Sequence, residues 1–82
     1  MKELVEYIVT TLVDEPEAVK VVEERHGDNV LLRIEVADGE TGKVIGRQGR
    51  VIQAIRALVK VAAVREGVRA DVQIDRTHEG ER

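Results

Sequence analysis

The chain opens on an apolar rhythm of three and four. In residues 2–13, KELVEYIVTTLV, apolar side chains fall at Leu4, Val5, Ile8, Val9, Leu12 and Val13, the spacing of a helix with one buried face. Asp14, Glu15 and Pro16 end it, because the residue before a proline is biased out of the helical region. Tyr7, the sole aromatic residue, is expected at the edge of the core. The period then changes. Residues 19–26, VKVVEERH, are β-branched at first and polar later. Residues 30–36, VLLRIEV, alternate from Leu32, with Leu32, Ile34 and Val36 on one side and Arg33 and Glu35 on the other. Gly27, Asp28 and Asn29 supply a turn between them, so the pair reads as a hairpin. Asp38, Gly39 and Glu40 break the second strand. Residues 41–45 suffice for one or two helical turns, and Gly46 to Gly49 is a kink. Residues 50–66 make the longest helix, with Gly67 as its stop. Residues 68–74, VRADVQI, alternate again as a last strand. Residues 76–82 contain no apolar side chain and are expected to form a flexible tail.

The predicted order is therefore α-β-β-α-α-β, within one domain over residues 1–75; a chain of 82 residues has no room for a second core. Three strands cannot cover themselves, and each helix has an apolar face to bury. The expected fold class is α+β, a three-stranded mixed sheet with three helices on one face. The long helix carries more apolar surface than one sheet needs. Val51, Ile55, Leu58 and Ala62 form one stripe, with Ile52 and Val59 beside it. Ala54, Ala57, Val61 and Val64 form a second stripe about 120° away. That second stripe is covered either by another helix of the same chain or by another subunit. Ala54, Ala57, Leu58, Val61 and Val64 are the candidate dimer face.

Composition removes several chemistries. The chain has no cysteine, hence no disulfide and no thiolate metal site. His26 and His78 lie far apart without a spaced partner, so no metal site is expected. No apolar run approaches the ~20 residues of a membrane span, and the expected location is cytoplasmic. Serine is absent as well, the four threonines are scattered, and the carboxylates cluster beside a turn and in a strand. No acid, base and nucleophile can be assembled, which argues against an enzyme, and no cofactor is expected.

Charge is the more informative quantity. The net charge of -3 conceals an asymmetry. Residues 1–42 carry four basic and eleven acidic side chains, whereas residues 43–65 carry six basic ones (Lys43, Arg47, Arg50, Arg56, Lys60, Arg65) and no acid. Positive charge confined to one segment points to a local anion site, or to a solvated helix face paired with acids elsewhere in the fold. The cations cluster around KVIGRQGR, residues 43–50. Glycine permits positive φ and close approach of another molecule, and a helix start presents free N–H groups and a partial positive charge. Arg47 and Gln48, inside a tight turn, must project outward. The bare G-x-x-G spacing is common by chance, but its place between two helices with a cation inside it is not. Gly42-Lys43 fails as a nucleotide-binding loop, because Ala37 stands where the first glycine belongs and Val44 follows the lysine.

The run I-G-R-Q-G-R, the amphipathic helix after it and the element order resemble a KH domain of the prokaryotic type, type II, with a β-α-α-β core at residues 30–75 and a helix-strand extension at residues 1–29. The opening "LVEYIV…LVDEPEAV" and the segment "GKVIGRQGRVIQAIR" are similar to the small stand-alone bacterial KH proteins of the KhpA family. The resemblance implies a single-stranded RNA-binding protein that grips about four nucleotides at the glycine loop. It further implies an RNA chaperone or post-transcriptional regulator that forms homodimers or pairs with a Jag/KhpB-type partner, linked to cell elongation, cell shape and peptidoglycan homeostasis. Carried over by position, the RNA-binding residues are Lys43, Val44, Ile45, Gly46, Arg47, Gln48, Gly49, Arg50 and Ile52. Val44, Ile45, Val51, Ile52 and Leu32 are candidates for the apolar groove floor, or equally for the core. The competing function is an adaptor, a fold kept for its dimer surface with incidental RNA contact.

Overall fold

The sheet forms around β2 (Asn29–Glu35), which lies between β1 (Lys20–His26) and β3 (Arg69–Ile74). The structure, a computed structural model, describes residues 1–75; the expected tail at 76–82, with His78, lies outside the described residues. β1 and β2 are antiparallel, with Val21 opposite Ile34 and His26 opposite Asn29. The connection is the two-residue turn Gly27-Asp28, and only Gly27 has positive φ, at 63°. Glycine at the first central position suits the turn whose twist matches the flanking strands. β3 runs parallel to β2, with Leu32 beside Val72, so the sheet is mixed as expected.

Alternation decides what the sheet buries. Val30, Leu32 and Ile34 face the helices and are buried, while Leu31, Arg33 and Glu35 point to the other side. Leu32 has no exposed surface; truncating such a residue to alanine costs about 2–5 kcal/mol. Against this face pack α1 (Lys2–Leu12), α2 (Thr41–Ile45) and α3 (Arg50–Glu66), in the expected order α-β-β-α-α-β. α1 buries Val5 and Val9 and stops one residue early, where Val13 turns extended. Tyr7 is not at the core edge but 71% exposed. It lies midway between Val5 and Val9, and a helix turns such a residue about 200° away from each.

α3 ends at Gly67, whose φ is 73°. The Gly67 N–H donates to the Val64 carbonyl at 3.2 Å and the Val68 N–H to the Ala63 carbonyl at 3.0 Å. This paired closure engages two of the last four carbonyls of the helix and swings the chain back into β3. The buried stripe of α3 is Ile52, Ile55, Val59 and Ala63, rotated from the expected Val51-Ile55-Leu58-Ala62 stripe. Leu58 instead belongs to the outward face, 50% exposed, with Val61 at 62% and Val64 at 79%. Ala54 and Ala57 are exposed on the same side. Leucine and valine at these positions were equally apolar in the sequence, and only contact with the sheet separates them.

Candidate nucleic-acid interface

α2 has five residues, too few to be stable alone, and is held by what surrounds it. Val44 is fully buried and anchors it to the core. At its end, the Gly46 N–H donates to the Gly42 carbonyl at 2.8 Å, and Gly46 departs at φ 78°, ψ 171°. This region of backbone space is open essentially to glycine alone. A second constraint coincides with it: a Cβ at Gly46 would lie 2.3 Å from Val51 Cγ2 and 2.9 Å from the Val51 backbone nitrogen. The loop therefore closes onto the first turn of α3 at a separation that only a hydrogen allows.

Residues 47–49 form a single tight turn in which Arg47 is helical and Gln48 sits at φ 59°, ψ 25°. Gly49 has φ 75° and precedes α3 directly. The turn engages the N–H groups of Gly49, on the Gly46 carbonyl at 3.1 Å, and of Arg50, on the Arg47 carbonyl. Those of Arg47 and Gln48 donate to no backbone carbonyl among the described residues. A right-handed residue followed by a left-handed one turns successive N–H groups toward a common point, a concavity suited to an anion. The N-terminus of the seventeen-residue α3 adds its partial positive charge at the same place.

The six cations of the basic segment separate into two groups. Lys43 is committed: its Nζ donates to Asp14 Oδ2 at 2.5 Å and to Glu40 Oε2 at 3.3 Å. The bond to Asp14 is the main influence raising the pKa of its ammonium, with Glu40 adding to it against burial. Arg56 is committed too, its Nε and Nη2 donating to the Val72 carbonyl at 3.2 and 3.1 Å, with Asp71 Oδ1 3.7 Å away. Arg47, Arg50, Lys60 and Arg65 have no acidic partner among the described residues. Arg47 and Gln48 are exposed, and Arg50 Nη2 reaches only Gln48 Oε1, at 3.4 Å. Two unpaired guanidinium groups thus flank the concavity.

Burial divides the five residues that could be groove floor or core. Leu32 and Val44 have no exposed surface and belong to the core. Ile52 is buried as well, whereas Ile45 and Val51 are partly exposed beside the loop. Sequence reasoning missed Glu40. Only 5% exposed, it accepts from the backbone N–H of Asp14 at 2.6 Å and of Glu15 at 3.1 Å. The Asp14 bond chiefly holds its carboxyl below the usual carboxylate range, with Glu15 and Lys43 assisting against burial. Its partners precede it by 25 and 26 residues, and no local pattern marks them. The edge contact of Arg56 was likewise invisible. Among the described residues no group of three His, Asp or Glu could hold a metal ion, and no helix is long and apolar enough to cross a membrane.

Residues 2–74 match the family model described as KhpA/KhpB, KH domain. The chain is 47% identical over 74 residues to the RNA-binding protein KhpA of Clostridium perfringens, covering 90% of this chain and 99% of that one. It is 49% identical to the RNA-binding protein KhpA of Caldanaerobacter subterraneus, with the same coverage. Against the RNA-binding protein KhpA of Bacillus subtilis it is 39% identical, covering 90% of this chain and 91% of the relative.

Proposed function

The chain belongs to the KhpA/KhpB KH-domain family, and from that premise we propose that it binds single-stranded RNA at the Gly46–Gly49 loop, without catalysis. The observation that carries this reading is the coincidence at one turn of two undonated N–H groups, a helix N-terminus and two unpaired arginines. Phosphate oxygens accept from the Arg47 and Gln48 N–H groups, while Arg47 and Arg50 supply charge. Ile45 and Val51 offer bases an apolar floor. The absence of aromatic side chains at the site fits a clamp that holds the backbone instead of stacking bases. An RNA chaperone or post-transcriptional regulator in the cytoplasm, acting with a Jag/KhpB-type partner and bearing on cell elongation and peptidoglycan homeostasis, is the role that family membership favours.

One observation favours a second component. Leu58, Val61 and Val64 leave an apolar strip on the outward face of α3, exposed among the described residues. A homodimer or a KhpB-type heteromer formed on this face would present two loops and gain avidity. In the adaptor reading, this face is the working surface and the loop is idle. The test measures binding to a short unstructured RNA for wild type and for Arg47→Asp with Gln48→Asp, with molar mass from light scattering. Binding by the wild type that weakens with salt and is lost in the folded variant supports the clamp. A dimeric wild type that binds no RNA supports the adaptor.

A further inference from the structure

Lys43 is the first cation of the glycine-loop segment, and on charge alone it belongs with Arg47 and Arg50 as a phosphate contact. Its surroundings say otherwise. Nζ sits between two carboxylates, Asp14 and Glu40, at 2.5 and 3.3 Å. Glu40 in turn holds the N–H groups of Asp14 and Glu15, the first residues after α1 and Val13. Three segments meet there: the exit of α1, the residue before α2 and the first turn of α2. We propose that Glu40, Lys43 and Asp14 form a clamp that positions α2, and through it the Gly46–Gly49 loop, so that Lys43 is a positioning residue and not a phosphate contact. This inference rests on the RNA-binding reading of the loop.

Five residues of helix have no stability of their own, and the Gly46 carbonyl and N–H are set directly by α2. Val44 fixes the middle of α2 against the core, and the Gly46–Val51 contact fixes its end. Its beginning is held by the buried Thr41 and by the Glu40 clamp, and the clamp alone ties it to the exit of α1. Loosening the clamp weakens that hold, and the loop at the far end moves with α2.

The two roles of Lys43 predict different dependence on salt. Each phosphate neutralised on a single strand contributes about -0.7 to the slope of log K against log salt concentration. If Arg47 and Arg50 are the loop's phosphate contacts, removing Lys43 leaves the slope unchanged. If Lys43 is a third, Lys43→Met makes the slope shallower by about 0.7. The expected result for Lys43→Met is an affinity reduced by one constant factor at every salt concentration, with parallel lines. Glu40→Gln gives a contrast of sign. Removing a negative charge near the site strengthens RNA binding if the charge acts only through space; in the clamp, the same change weakens it.

The experiment measures binding of a short unstructured RNA by wild type, Lys43→Met and Glu40→Gln across a salt series. Amide hydrogen exchange of the free proteins is measured alongside. Weaker binding with parallel slopes, together with faster exchange at the hydrogen-bonded amides of Gly46 and Gly49 and unchanged exchange in β2, supports the clamp. A shallower slope for Lys43→Met, or exchange at the loop that does not change, overturns it. Lys43 is half exposed, so the methionine variant decides the matter even where Glu40→Gln does not fold. Should the wild type bind no RNA, the RNA-binding reading itself fails, while the exchange data still report whether the clamp positions the loop.

Discussion

Substituting alanine at Gly46 and at Gly49 separates two reasons for needing glycine. Both residues have positive φ, 78° and 75°. At Gly49, with ψ 15°, alanine adopts the left-handed conformation and its Cβ meets nothing within 4 Å. The cost is the left-handed penalty of about 1–2 kcal/mol. About 0.4–1 kcal/mol is recovered from the less flexible unfolded chain. The net is about 1 kcal/mol. At Gly46 the backbone lies in the glycine-only region, costing about 1–3 kcal/mol. The new Cβ would also lie 2.3 Å from Val51 Cγ2, 2.7 Å from Val51 Cβ and 2.9 Å from the Val51 nitrogen. The last two atoms are fixed to the first turn of α3, so relief requires backbone movement, an overpacking cost of about 1–3 kcal/mol. The total after the same entropic correction is about 2–5 kcal/mol, a large share of the roughly 5–15 kcal/mol that hold a domain together.

Urea unfolding followed by far-UV circular dichroism reads the difference. With a slope near 1 kcal/mol per molar urea, the midpoint falls by about 1 M for Gly49→Ala and by about 2–5 M for Gly46→Ala. Measured against Val51→Ala, which loses its own core packing, the double variant Gly46→Ala, Val51→Ala recovers part of the loss, because the Cγ2 contact is gone while Val51 Cβ and the Val51 nitrogen stay where they are. Equal midpoints for the two single variants would refute the described approach of Gly46 to Val51. Full recovery in the double variant would show that the clash is confined to a side chain and that the backbone closure is looser than the geometry states.

Three further outcomes are expected. Gln48→Gly relieves the only non-glycine positive φ among the described residues, and raises stability by less than about 1 kcal/mol in the same urea assay; a destabilised variant would mean the Gln48 side chain holds the turn. The lowered carboxyl pKa of Glu40 gives a stabilising contribution that is complete above the unfolded value, about 4.3, and fades as pH falls through the folded value. The stability gap between wild type and Glu40→Gln therefore narrows below about pH 4.3, and a gap independent of pH between 3 and 6 contradicts the assignment. Val61→Glu, at an exposed position, leaves thermal unfolding of the monomer unchanged and lowers the molar mass seen by light scattering; a wild type that is already monomeric at high concentration refutes a homodimer on α3.

The helices, the strands and their order were legible in the sequence because each rests on a local period. Leu32 and Ile34 announce a strand face, and Gly67 announces a helix end, without reference to anything distant; Val36, read as part of that face, falls just past the end of β2. The loop was legible for the same reason: two glycines three apart between apolar flanks are a local signal. What the sequence withheld were relations across the chain. Leu58 and Val59 are adjacent and equally apolar, yet Val59 is buried and Leu58 half exposed, because the sheet meets α3 on one side only. Tyr7 lies outside the core for the corresponding reason on α1.

The basic segment shows how this limit bears on function. Six cations without an acid read as one electropositive patch, but charge in a sequence has no direction. Folding brings Asp14 and Glu40 to Lys43, and the Val72 carbonyl to Arg56, so that two of the six bind the protein itself. Arg47 and Arg50 remain at the loop because the turn that exposes them also lifts them clear of every acid among the described residues. The site's charge is therefore smaller than its sequence and more sharply placed. An anion approaching this surface meets two arginines and two free N–H groups at one turn, on a domain whose remaining charge is mostly repulsive to it. That combination favours a backbone held at a single point over a polyanion spread along a face.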